Sequence, residues 1–347
     1  MRAVLMETFG GPLEVTELSD PTCPSDGVVV RVAATGLCRS DWHAWQGHDA
    51  GVLLPHVPGH ELAGTVVAIG PAVTSVEVGD RVTTPFVLAC GACRTCRRGD
   101  QQVCERQEQP GFTRWGSFAE LVALPRADVN LVRLPDAVPD DVAAGLGCRV
   151  ATAYRAVAQV GAVRAGERLV VHGCGGVGLA AVMVGRALGA EVYAVDPAPA
   201  SRELAARLGA TTLDPADGPV VDALLDLTGG GADVSLDAFG SRAVATASLH
   251  CLRPRGRHVQ VGLLGGADAD AGASLSLVVA RELQVLGSHG LSAAGYPELL
   301  DLVASGALRP DLLLRARVGL AEGAFRLAAL GEPGAGAGGA TVVLPHS

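Results

Sequence analysis

Apolar and polar positions divide this chain into two regimes. Over the first 150 residues, short β-type runs are punctuated by Gly and Pro. Val28–Val32, Leu62–Ile69 and Phe118–Leu124 predict strands, the last two closed by turn signals at Pro71 and Pro125. From about Val150 the rhythm changes. The buried run Leu169–His172 enters a glycine loop and an apolar helix reaching Leu188, and Glu191–Val195 follows as a second buried strand. Ser201 is placed as the N-cap of a helix running to Leu208 and stopped by Gly209. Thr211–Leu213, Asp233–Asp237, His258–Val261 and Leu283–Leu286 complete six strands, with helical stretches between the middle ones. That alternation predicts an α/β fold with a doubly wound, parallel six-stranded sheet. After Gly287 the pattern is mixed again, with a helix near Tyr296–Ser305 and a last strand at Thr341–Leu344. The Gly- and Ala-rich segment Gly331–Gly339 reads as a mobile loop. The tail is expected to return to the first region, which gives units of 1–150, 151–287 and 288–347.

Composition narrows the chemistry. With 347 residues, 49% hydrophobic and 18% charged, the chain is globular and long enough for two ordinary domains. All 27 of its basic residues are Arg, against 36 acids, for a net charge of −9. The absence of lysine excludes a Schiff-base lysine and a phosphate-loop lysine, and the acidic balance argues against nucleic acid as a partner. The most apolar run, Gly176–Ala190, is too short for a membrane span and is broken by Arg186. Met1–Glu7 reads as a short strand without a cleavable leader. Nine cysteines, four of them clustered, suit metal binding in a reducing cytoplasm better than a disulfide scaffold.

Three constellations carry the chemistry. Strand Leu169–His172 runs into Gly173-Cys174-Gly175-Gly176-Val177-Gly178 and then a helix, the context a dinucleotide loop requires. Gly173 makes the tight turn, Gly175 lets the backbone approach a pyrophosphate, and Gly178 permits close helix–strand packing, while the helix start offers free N–H groups. Asp196 ends the next strand, where an acid binds the adenosine ribose hydroxyls of NAD and repels the 2′-phosphate of NADP. Arg202 is the nearby residue able to reverse that preference. Cys90, Cys93, Cys96 and Cys104 can close around one tetrahedral zinc with no open position, and Arg94, Arg97, Arg98 and Arg106 stand in or beside that loop to offset its charge. Cys38, His60 and Cys148 are a dispersed set whose two thiolates and one imidazole would leave a fourth zinc position open.

The order of Cys38–His43, Gly59-His60-Glu61, the four-cysteine lobe, Cys148 and Gly173–Gly178 resembles that of zinc-dependent medium-chain alcohol dehydrogenases. The stretch from Cys38 to Gly47 is most similar to the tetrameric bacterial and yeast-type branch. The resemblance implies a GroES-like, mainly β catalytic domain beside the Rossmann domain, with the active site in the cleft between them. It implies a catalytic zinc on Cys38, His60 and Cys148, oriented through Asp41, with Glu61 beside the metal. Ser40 and His43 resemble the proton relay, Arg39 a pyrophosphate contact, and Thr152 and Val177 residues packed on the nicotinamide. Phe86 and Trp45 fall where relatives place substrate-pocket walls.

The activity implied is hydride exchange between an alcohol held on zinc and NAD, interconverting alcohols with aldehydes or ketones, by a cytoplasmic homotetramer with two zinc ions per chain. The competing readings are a polyol or sugar-alcohol dehydrogenase, which often has Glu where Cys148 stands, and an NADPH reductase of the cinnamyl-alcohol type, which would want a small residue at Asp196. A noncatalytic NAD-binding protein of the same fold is a third. Two departures stand out. Gly338-Gly339-Ala340-Thr341 lacks the basic residue that many relatives carry before the final strand, and no lysine follows the ribose acid.

Overall fold

The computed structural model describes residues 1–269, 274–332 and 334–347, so Pro333 of the Gly331–Gly339 segment lies outside the described residues. Two sheets organise the chain. The first is built around the long strand Val28–Leu37, whose alternating neighbours bury Val28, Val30 and Val32 in one apolar cluster. It pairs antiparallel with Leu62–Ile69 on one edge, and on the other with Leu121–Leu124 and the last strand, Ala340–Val343. Arg81–Thr83, Val132–Arg133 and Leu314–Val318 complete seven strands. Residues from both ends of the chain therefore share one sheet.

The second sheet has six strands in the order Thr211–Leu213, Glu191–Val195, Arg168–His172, Ala232–Asp237, Leu252–Gln260 and Gln284–Gly287, every pair parallel. The order reverses direction at Arg168–His172, so a crevice opens beyond its carboxyl end, where doubly wound sheets bind ligands. Expected and observed strands coincide at Leu62–Ile69, Glu191–Val195 and Thr211–Leu213 and differ by a few residues elsewhere. The strand expected at His258–Val261 begins earlier, at Leu252, through Pro254 and Gly256. An irregular register against Ala232–Asp237 accommodates these two residues.

Ser201 does not cap its helix. That helix spans Pro199–Arg207, starting with Pro199 at its first turn, and Ser201 is buried inside it. Proline needs no N–H partner there and has a helical φ built in, so it starts the helix upstream of the Ser. One apolar cluster runs from Ala34 and Ala63 of the first sheet through Tyr154 to Leu169 and Val234 of the second, tying both sheets to one core.

Candidate active site and metal centres

Cys38 ends strand Val28–Leu37 and precedes the helix Arg39–Trp45. Gly59, at φ +106°, turns the chain so that His60 and Glu61 enter beside it, and a Cβ there would strike Phe118 at 2.7 Å. Cys148 arrives on Leu146–Val150, a stretch wound as a π-helix, a distortion common at functional sites. One donor atom each from Cys38, His60, Glu61 and Cys148 lies within 4.8 Å of all the others.

Within this cluster the two acids have different jobs. Asp41 is fully buried; its Oδ1 accepts from His60 Nδ1 at 2.7 Å and Gly59 N–H at 3.2 Å, and its Oδ2 from Cys38 N–H at 3.1 Å. Asp41 accepts the Nδ1 proton in this bond and so turns Nε2 into the cluster, the nitrogen a metal would take in place of a proton. His60 Nε2 is buried and has no protein hydrogen-bond partner. Glu61 is instead held by Arg149, which donates its backbone N–H at 3.0 Å and Nε at 2.9 Å to Oε1, and Nη2 to Oε2. Burial pushes the Glu61 carboxyl above its usual range, and the Arg149 charge opposes that. Burial alone would lower His60, but Asp41 and the Cys38 sulfur outweigh it and hold the imidazole above its ordinary value. Cys38, hydrogen-bonded by Cys148, is held well below the usual thiol range.

The second cluster gathers Cys90, Cys93, Cys96 and Cys104 within 4.8 Å, and all nine cysteines are unbridged. Sγ···Sγ separations of 3.4, 3.8 and 3.9 Å bracket the ~3.8 Å edge of a tetrahedron with Zn–S of about 2.3 Å. Backbone N–H groups of Cys90, Cys93, Cys96 and Arg106 point at the sulfurs. Burial raises the Cys90 thiol, but the backbone N–H groups of Ala92 and Cys93, the Cys104 thiol and the Arg106 guanidinium, 3.4 Å away, bring it down to about 5. Of the four arginines expected to offset this lobe, Arg106 alone bonds a sulfur among the described residues. Arg94, Arg97 and Arg98 are exposed.

At the crevice, Gly173 has φ +86°, and a Cβ on Gly178 would lie 1.7 Å from Gly173 O, while one on Gly175 would meet nothing within 4 Å. The loop is therefore closed on its packing side and open where a ligand would approach. The helix Gly176–Ala187 starts there, carrying Val177 in its first turn. Asp196 is pinned by two backbone donors, Cys174 N–H at 2.6 Å and Ala198 N–H at 2.8 Å. Cys174 itself is buried, and burial together with the Asp196 charge pushes its thiol up to about 12, as suits packing. Thr152 Oγ1 is buried without a partner.

The remaining expected residues divide. Ser40 Oγ lies 3.8 Å from Cys38 Sγ, and His43 is three residues further along the same helix face. Phe86 stands edge-on to His60 with centroids 6.3 Å apart, and its N–H is anchored on Gly147 O at 3.0 Å. Trp45 is buried with Met6, Val52 and Phe112, its Nε1 donating to Gly11 O at 2.9 Å, so it reaches the metal cluster only through Phe112. Arg39 donates to Leu330 O and stacks over Trp42 at 5.2 Å. Arg202 is engaged by Asp196 O and by Asp214.

Three residues were missed from sequence. Arg149 follows a candidate ligand directly, which was the available signal for its position, but nothing in the sequence pairs it with Glu61, 88 positions away. Phe112 packs on His60 at 5.3 Å, and His48 Nδ1 lies 3.0 Å from His43 Nδ1; neither had a local signal.

Residues 24–136 match the alcohol dehydrogenase GroES-like domain, and residues 176–305 match the zinc-binding dehydrogenase domain. An alcohol dehydrogenase of Geobacillus stearothermophilus is 36% identical over 267 residues, covering 76% of this chain and 78% of the relative. The chain belongs to the zinc-dependent medium-chain alcohol dehydrogenase family. Its fold class follows that family: a parallel α/β sheet joined to a GroES-like domain. Alcohol dehydrogenase TADH from Thermus sp. ATN1 superposes with a TM-score of 0.91 at 31% identity, covering 99% of this chain and all of the other. A zinc-binding dehydrogenase from Sinorhizobium meliloti, solved with NADP bound, superposes at 0.89 with 30% identity, covering 99% of each chain. This family member is a zinc-dependent alcohol oxidoreductase. Among the described residues no helix is long and apolar enough to cross a membrane.

Proposed function

We propose that this dehydrogenase is NAD-linked, holds two zinc ions per chain, and interconverts small primary or secondary alcohols with aldehydes or ketones. The observation that carries the reading is His60 Nε2, a buried and unpartnered nitrogen gathered with Cys38 and Cys148, while Glu61 of the same cluster is already bonded by Arg149. Three donors with the fourth held back suit a catalytic metal that must also bind substrate. The four sulfurs of the lobe suit a structural one.

When bound, the catalytic metal supplies Lewis acidity toward the alcohol or carbonyl oxygen, and the nicotinamide supplies the hydride acceptor or donor. The protein does the rest. Asp41 orients His60, and Glu61 waits beside the metal on Arg149. Ser40 Oγ is placed to take the alcohol proton beside Cys38. Burial, then the charges of His48 and Arg39, lower the His43 imidazole, which stands exposed one helical turn on and would pass that proton to solvent. Gly173, Gly175, Gly176, Val177 and Gly178 would cradle the dinucleotide, with Asp196 at the ribose, Arg39 at the pyrophosphate and Thr152 at the nicotinamide. Phe86 would wall the substrate pocket, with Trp45 further back behind Phe112.

The corresponding units are 1–150 and 288–347 for catalysis and 151–287 for the cofactor. A cytoplasmic homotetramer is the assembly we expect, to be checked by sedimentation. Growth of NADH absorbance with a panel of alcohols tests the activity, and silence of zinc-replete protein across that panel would refute it. Elemental analysis should return two zinc per chain, one for each cluster; a single zinc refutes one assignment.

A further inference from the structure

Cofactor choice in this chain involves more than Asp196. Arg202, the only basic residue between Glu191 and Ala206, stands at the same sheet edge on the helix Pro199–Arg207. Its Nη1 donates to Asp196 O at 2.7 Å, and its Nη2 lies 2.7 Å from Asp214 Oδ2, with both side chains only about a fifth exposed (20% and 19%). Asp214 directly follows strand Thr211–Leu213, whose Leu213 pairs with Val195, so the two acids close adjacent parallel strands with the guanidinium between them. Asp214 is also anchored, because its Oδ1 accepts Ala216 N–H at 2.9 Å. Both ends of the ion pair are therefore fixed.

An unengaged guanidinium here would be well suited to a 2′-phosphate, since its planar fork matches phosphate oxygens. We propose that Asp214 is a second determinant of cofactor specificity, holding Arg202 away from the ribose so that an incoming 2′-phosphate meets carboxylates and no free guanidinium. This inference rests on the NAD reading above. It assigns Asp214 a positioning role, acting through Arg202.

Asp214→Asn tests it. The amide oxygen keeps the Ala216 contact, while the charge that ties Arg202 disappears. Fluorescence titration of the zinc-replete protein with NADH and with NADPH gives two dissociation constants for each variant. The NADPH/NADH ratio should fall about two- to fivefold in Asp214→Asn, the scale of one partly exposed ion pair. Asp214→Ser, which keeps the cap with a different side chain, should shift the ratio the same way and guards against a folding defect in one variant. In the Asp214→Asn/Arg202→Gln double variant the gain should vanish. A gain that survives removal of Arg202 overturns the proposal in favour of simple charge deletion. A wild type that prefers NADH with an unchanged ratio in both Asp214 variants overturns Asp214 alone. A wild type that prefers NADPH, or binds neither nucleotide, overturns the NAD reading and this inference with it.

Discussion

Arg149→Met would expose how the metal cluster keeps its glutamate in place. Methionine retains much of the unbranched stem but deletes the guanidinium, so Glu61 keeps the backbone N–H bond at 3.0 Å and loses the bonds from Nε and Nη2. The Glu61 side chain is 0% exposed and that of Arg149 8%, so water cannot replace what is lost. Two unit charges about 4 Å apart attract by about 4 kcal/mol at an effective dielectric of about 20. Stranding one partner of such a buried pair costs about 3–5 kcal/mol. Glu61→Gln should be costly for the converse reason, since it strands the guanidinium. The double variant strands neither charge, so its cost should fall short of the sum by about 2–4 kcal/mol. Urea denaturation of the zinc-loaded single and double variants, followed by tryptophan fluorescence, gives the cycle from the first transition. An Arg149→Met penalty under about 1 kcal/mol, or additive penalties, would refute the account of this pair as a mutually dependent buried ion pair.

Two other predictions follow from local geometry. Gly175→Ala should leave stability near wild type, because its Cβ meets nothing within 4 Å, yet weaken NADH binding; Gly178→Ala should destabilise the fold itself, because its Cβ would sit 1.7 Å from Gly173 O. Equal melting temperatures for the two variants would contradict that division. His172 is buried, and burial, with His258 adding, pushes its imidazole down to about 3. Below the unfolded value of about 6.5, the unfolded chain takes up a proton that the native site refuses. Stability should therefore fall as pH falls through that window, by about 2 kcal/mol at pH 5. His172→Gln should give a shallower decline between pH 7 and pH 5, and a slope parallel to wild type would exclude His172 as its source.

Much of the fold was legible because its signals are local. A strand buried on both faces, such as the Val192–Val195 part of Glu191–Val195, shows as an unbroken apolar run, and Gly173–Gly178 shows as a turn because φ +86° at Gly173 is costly for other residues. The Cys90–Cys104 lobe is compact in sequence, so spacing alone brings its sulfurs together. Where a stronger neighbour overrode a local preference, sequence reasoning slipped. Ser201 resembles a cap, but Pro199 starts the helix first. The strand Leu252–Gln260 tolerates Pro254 and Gly256 only because its register against Ala232–Asp237 is irregular.

The sequence by itself determined which residues of this protein carry chemistry: the thiols, His60, the glycine loop and the acid after the second Rossmann strand. Residue type and short-range spacing are enough to specify a donor or a turn. What those groups are paired with was decided by the tertiary structure alone. Arg149 reaches Glu61 across 88 positions, and Arg202 is claimed by Asp214 from the next strand. An ion pair depends on which side chains the fold desolvates together, and a one-dimensional pattern does not contain that distance.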